Sequence, residues 1–145
     1  VYKGFAHVTA ITGLMGRWQQ LRSSPKIVCD IAHNAHGLQY VAKQLLAENY
    51  KTLHIIFGMA NDKDVDSVLA LMPKDARYYF TRASVERALD EKILKEHAAV
   101  YGLEGTTFAS VSGAIRAAIE NAGEDDLIFI GGSSFVVADA LPLFT

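Results

Sequence analysis

With a single cysteine, Cys29, among 145 residues, the sequence can form no internal disulfide and no cysteine-based metal cluster. A lone thiol inside an apolar run suits a reducing compartment, so the cytoplasm is the expected location. Long hydrophobic stretches are also missing. Runs such as 127–130 and 135–138 fall far short of the roughly 20 residues that cross a bilayer, and no membrane span is predicted. Neither sign of charge dominates, with 14 Lys and Arg against 16 Asp and Glu. The basic residues are scattered rather than gathered in a stripe, which argues against nucleic acid as a partner. The chain opens Val1-Tyr2-Lys3-Gly4-Phe5, with no initiating Met and no secretory pattern, as expected of one domain excised from a longer protein. No strand is followed by Gly-x-Gly-x-x-Gly, and Gly-x-x-x-x-Gly-Lys-Ser/Thr is absent too. A dinucleotide fingerprint and a self-sufficient phosphate loop are thereby excluded.

What the sequence does contain is an alternation of short apolar runs with helical stretches from end to end. Half of the residues are apolar and 21% charged, the balance of one globular domain with a sizeable core. Strands are predicted at 26–29, 53–57, 76–81, 106–109 and 127–130, with one more at the sheet margin over 7–11. Between them, Leu38, Val41, Ala42, Leu45 and Leu46 recur at helical spacing, in a helix that opens near Gly37. Asp64 is placed to cap a helix through Leu71, with Pro73 beyond it, and Asp90 to cap one ending at Gly102. A fourth helix begins at Ser110 or Ser112 and is expected to close on a left-handed Gly123. The fold implied is α/β: a Rossmann-like, doubly wound, mostly parallel sheet of about six strands with helices on both faces. In such sheets ligands bind beyond the carboxyl ends of the strands, which directs attention to the loops 30–37, 58–64, 82–86 and 131–134.

The first of these loops, Asp30-Ile31-Ala32-His33-Asn34-Ala35-His36-Gly37, is dense in polar function. A carboxylate at a strand end can accept from a ribose diol, and an imidazole beside a helix N-terminus can meet a phosphate oxygen. Equally, Asp30 can cap the loop and His33 satisfy backbone groups. His33 and His36 lie three apart with no third ligand at a recognisable spacing, so the zinc reading is weak. Arg17, thirteen positions before Asp30, offers a guanidinium fork for phosphate or a solvated surface charge. Lys63 follows Gly58 and is a candidate phosphate contact, while Asp62 and Asp64 read as helix caps. Gly131-Gly132-Ser133-Ser134 is either a nest of N–H groups for an anion or a plain N-cap. No base-and-orienter pair accompanies Ser133, Ser134 or Cys29, so nucleophilic catalysis has no support.

Four segments together, 12–19, 29–34, 58–64 and 132–137, resemble the folylpolyglutamate and dihydrofolate synthases within the Mur ligase group. The resemblance covers nearly the whole chain in the same order. It implies the C-terminal domain of an ATP-dependent amide ligase that adds L-glutamate to dihydropteroate or folate through an acyl phosphate. It further implies an upstream P-loop domain that holds the ATP phosphates and Mg2+, over which this domain closes. On that basis Arg17 and Asp30 match nucleotide-contacting positions, His33 a position near the terminal phosphate and the incoming amino acid, and Ser133 the glutamate site, with Lys63 kept as a candidate nucleotide contact. Ala35 replaces a common proline, and Ser134 a common apolar residue. The isolated chain is expected to be inactive. The alternatives are the equivalent domain of a peptidoglycan-precursor ligase and a non-catalytic, nucleotide-sensing α/β domain.

Overall fold

Successive side chains of a strand point to opposite faces, and here that alternation builds two cores on one sheet. The structure, a computed structural model, describes residues 17–61 and 64–144. Among these residues six strands form one sheet: β1 (Gln19–Ser23), β2 (Lys26–Cys29), β3 (Leu53–Phe57), β4 (Arg77–Phe80), β5 (Gly105–Thr107) and β6 (Leu127–Gly131). The helices are α1 (Ala35–Ala47), α2 (Val65–Leu71), α3 (Glu91–Val100), α4 (Val111–Asn121) and α5 (Ser134–Ala140), with a closing 3-10 turn at Leu141–Phe144. Strand order is β1-β2-β6-β3-β4-β5, and only the β1–β2 pair is antiparallel.

Val28, Ile55, Phe57, Tyr78, Phe80 and Phe129 pack with α1, α2 and α3 on one face. Ile27, Cys29, Ile56, Tyr79, Ile128 and Ile130 meet α4 and α5 on the other. Every residue of β3 and β6 is buried, as the central strands of a doubly covered sheet must be. The predicted doubly wound α/β architecture is the one observed. No helix among the described residues is long and apolar enough to cross a membrane.

Several local expectations are corrected. Among the described residues the strand at the sheet margin is β1, in a stretch too polar to read as a strand, with Leu21 packed against the core. The strand predicted at 7–11 lies outside the described residues. β5 begins at Gly105, because a side chain there would run into the Tyr78 backbone; the glycine that reads as a break is the residue that permits pairing. Leu46 is exposed, one step round the helix from the buried stripe of Leu38, Val41, Ala42 and Leu45. Gly123 is not left-handed: α4 closes on Ala122 in extended conformation, and the Gly123 N–H turns to Asp126. The left-handed glycine after a helix is Gly102, at φ +78° beyond α3. Ser110, not Ser112, caps α4, its Oγ accepting from the Gly113 N–H.

Gly132, at φ +96°, carries the turn from β6 into α5, and a Cβ there would lie 2.5 Å from the Gly58 carbonyl and 2.8 Å from the Phe57 ring. Both the dihedral and the space demand glycine. Gly132→Ala is therefore expected to lower stability by about 2–3 kcal/mol, measured as the shift of the urea midpoint.

The opposite, amino edge of the sheet holds a buried polar network that sequence reading passed over. His54 is wholly buried, with Nε2 2.9 Å from Asp126 Oδ2 and Nδ1 2.9 Å from the Tyr79 hydroxyl. Asn121 donates to that hydroxyl at 3.3 Å, so its proton is free to point at Nδ1. Donation then runs Asn121, Tyr79, His54, Asp126, which puts the imidazole proton on Nε2. Asp126 also accepts from the N–H groups of Thr52 and Gly123, joining the starts of β3 and β6.

Candidate functional site

Because β6 inserts between β2 and β3, the loops leaving those three strands lie side by side at the carboxyl edge. A doubly wound sheet opens its crevice at such a reversal of strand order. Beyond β2 there is a cleft of about 490 Å³, lined by Arg17, Asp30, His33, His36, Tyr40 and Gln44 among others. Three residues singled out from the sequence, Arg17, Asp30 and His33, thus share one cavity.

Asp30 assembles it. Its Oδ1 accepts the Ala32 N–H at 2.8 Å, turning the chain out of β2, and its Oδ2 accepts the Trp18 N–H at 3.0 Å. The second bond fixes the residue next to Arg17, so one half-buried carboxylate ties the entry of the β1–β2 hairpin to the β2–α1 loop. Trp18 holds a left-handed φ of +48°, and its ring stacks on Phe129 with centroids 6.3 Å apart. That packing anchors the backbone from which the exposed Arg17 extends. The sequence gives no sign of this role for Trp18, since Phe129 lies on a strand far along the chain.

α1 starts earlier than predicted. Asn34 is its N-cap, with Oδ1 accepting the Gly37 N–H at 2.9 Å, and Gly37 fits closely against Ala32. Asp64 is the N-cap residue of α2, as expected, but without a side-chain capping bond; its Oδ2 accepts the Ala35 N–H at 3.1 Å, pinning α1 to the β3–α2 connection. Two N–H groups of the first turn of α1 are therefore committed internally. An anion in the cleft would rely on the Arg17 and His33 side chains and the helix dipole more than on these amides. His33 is exposed, and His36 packs edge-on against Tyr40 with centroids 5.7 Å apart.

Ser133 does not line the cleft. It is 3% exposed, and its Oγ accepts the Phe135 N–H at 3.1 Å as the N-cap of α5. The turn nevertheless adjoins Asp30, for a Cβ on Gly131 would lie 3.1 Å from the Asp30 carbonyl oxygen. In the loop after β4, Arg82 lies 3.5 Å from Asp90 and 3.4 Å from Glu91, while Ser84 bonds Asp139. Those polar groups serve the loop itself. Burial, with the negative charge of Asp30 adding to it, pushes the Cys29 thiol up to about 12, so it is no nucleophile at neutral pH. Lys63 and Asp62 lie outside the described residues, as does 12–16 of the resembling segments.

The profile of the family described as "Mur ligase, glutamate ligase domain" matches residues 16–134. This chain belongs to that family. The Mur ligase domain seen here has relatives of known description. A probable bifunctional folylpolyglutamate synthase/dihydropteroate synthase of Haloferax volcanii is 30% identical over 131 residues, covering 90% of the chain and 16% of that protein. E. coli FolC in complex with DHPP and ADP superposes with a TM-score of 0.80 at 28% identity, over 88% of this chain and 30% of that one. A bifunctional folylpolyglutamate synthase/dihydrofolate synthase with Mn, AMPPNP and L-glutamate bound gives a TM-score of 0.80 at 26% identity, over 89% of this chain and 31% of that one. The chain thus spans less than a third of the length of these proteins.

Proposed function

We propose that this Mur ligase domain is the C-terminal part of an ATP-dependent ligase of the folylpolyglutamate and dihydrofolate synthase type, joining L-glutamate to dihydropteroate or folate. The observation that carries the reading is the convergence of Arg17, Asp30 and His33 on one cleft at the carboxyl edge of the sheet. It is supported by a relative named for folylpolyglutamate synthase and by a similar structure, named for both activities, with a nucleotide analogue and L-glutamate bound.

In this reaction a substrate carboxylate oxygen bonds to the terminal phosphorus of ATP as the bond to ADP breaks. The amino nitrogen of glutamate then attacks the acyl carbon, phosphate leaves, and the nitrogen gives up a proton. Arg17 is suited to hold phosphate oxygens through its planar fork. Asp30 uses one lone pair of each oxygen on backbone N–H groups and keeps others for ribose hydroxyls. His33, exposed on the cleft wall, is suited to donate to the terminal phosphate and guide the amine, and Lys63 is proposed as a further nucleotide contact. The Ser133 hydroxyl is committed to capping, so the turn would help bind glutamate through its shape and N–H groups. Holding both reactants in one orientation removes much of the entropic barrier to their meeting.

Among the described residues no three His, Cys, Asp or Glu side chains come together. Mg2+ and the phosphate loop are assigned to an upstream P-loop domain, over which this one closes, with the complete enzyme in the cytoplasm. Full-length protein is expected to release ADP only when L-glutamate and dihydropteroate or folate are both supplied, and the isolated chain to turn over nothing. Release of ADP with peptidoglycan precursors instead would move the assignment to that class. No ATP turnover with either would leave a sensing domain.

A further inference from the structure

The cleft has an aromatic wall that the roles above leave unused. Tyr40 is 58% exposed, yet it is not scattered on open surface: it lines the same cleft as Arg17 and Asp30. His36, one helical turn earlier, meets Tyr40 edge-on at 86°, and Gln39 holds the His36 ring through Nδ1 at 3.4 Å. The tyrosine ring is thus braced by a neighbour on its own helix, and one turn further on Gln44 lines the same wall. His36, Tyr40 and Gln44 recur at intervals of four and form a stripe down the flank of α1. Tyr40 lies about 9 Å along the helix axis from Asn34. A ligand whose phosphates met Arg17 and His33 could lay a flat group against this wall.

We infer that Tyr40 is the stacking platform for the purine base, with His36 bracing its ring and Gln44 offering an amide donor and acceptor to the base edge. The inference rests on the nucleotide reading of the cleft and adds the source of its base preference. Aromatic faces stack on bases at about 1–3 kcal/mol each, and purines present the larger face. Tyr40 is a nucleotide-positioning residue and takes no part in bond making.

Full-length enzyme with Tyr40→Ala, Tyr40→Phe and Arg17→Ala tests this, with steady-state constants measured for ATP, UTP and L-glutamate. Tyr40→Ala is expected to raise the KM for ATP about five- to tenfold, with little effect on the KM for glutamate, and to narrow the preference for ATP over UTP. Tyr40→Phe should restore both. Because Tyr40 is exposed and alanine favours helix, a folding failure is not expected, and circular dichroism of the variant checks it. An unchanged KM for ATP in Tyr40→Ala, alongside a raised one in Arg17→Ala, overturns the inference and leaves the ligase reading standing. So does an effect confined to the KM for glutamate. If neither substitution moves the KM for ATP, the nucleotide reading of the cleft falls, and this inference with it.

Discussion

Asp126→Ala is expected to lower the unfolding free energy by about 3–5 kcal/mol, read from the urea midpoint, because it strands the buried His54 donor and frees two part-buried N–H groups rather than removing an isolated contact. The carboxylate accepts from Thr52 N at 3.1 Å, Gly123 N at 2.9 Å and His54 Nε2 at 2.9 Å. Losing it leaves a buried imidazole at the amino edge of the sheet with no partner on Nε2. Asp126→Asn retains the shape, loses the charge and should fall between. The same site predicts an acid response. Burial pushes the Asp126 carboxyl up, but the Gly123 N–H, the His54 ring and the Thr52 N–H outweigh it and hold the group below its ordinary value. The folded-state pKa lies below the unfolded one, near 3.9, so this stabilisation is complete above that value and is lost as pH falls through the folded pKa. Unfolding free energy followed between pH 5 and pH 2, as two bounds about the carboxylate range, should fall less steeply in Asp126→Asn than in the parent.

Asp30→Ala should damage nucleotide use more than Arg17→Ala does. If Asp30 only contacted ribose, the two losses would add. Here its carboxylate also receives the Trp18 N–H, and that bond sets the backbone from which Arg17 reaches the cleft. Removing it loosens the β1–β2 entry and the 30–34 loop together. In the full-length enzyme we expect a rise in KM for ATP of tenfold or more, alongside a stability loss of about 2–4 kcal/mol from two charge-assisted bonds. In the double-mutant cycle, Arg17→Ala should have less effect once Asp30 is alanine, with a coupling of about 1 kcal/mol. Strict additivity would mean that the two side chains act independently.

The central strands were legible from composition: Leu53, Ile55, Ile56 and Phe57, and all of 127–130, put apolar side chains on both faces, which only a covered strand tolerates. The 30–37 loop stood out because a carboxylate, two imidazoles and an amide crowd one strand-to-helix junction. Trp18, Tyr40 and the His54 network were not legible in the same way. Trp18 acts through Phe129, 111 positions later, and His54 through Asp126, 72 positions later. Such pairings leave no trace in a local pattern. Tyr40 reads as one more residue of an amphipathic helix until the cleft beside it is known.

Periodicity and turn chemistry alone therefore determined the α/β class, the succession of helices and strands, and the segments that would meet at the carboxyl edge. Tertiary structure decided which polar groups serve the fold and which face the cleft. Asp64 went to α1, Ser133 to its own helix cap and Asp30 to two backbone amides, because every buried donor must find an acceptor and the nearest one is often far away in sequence.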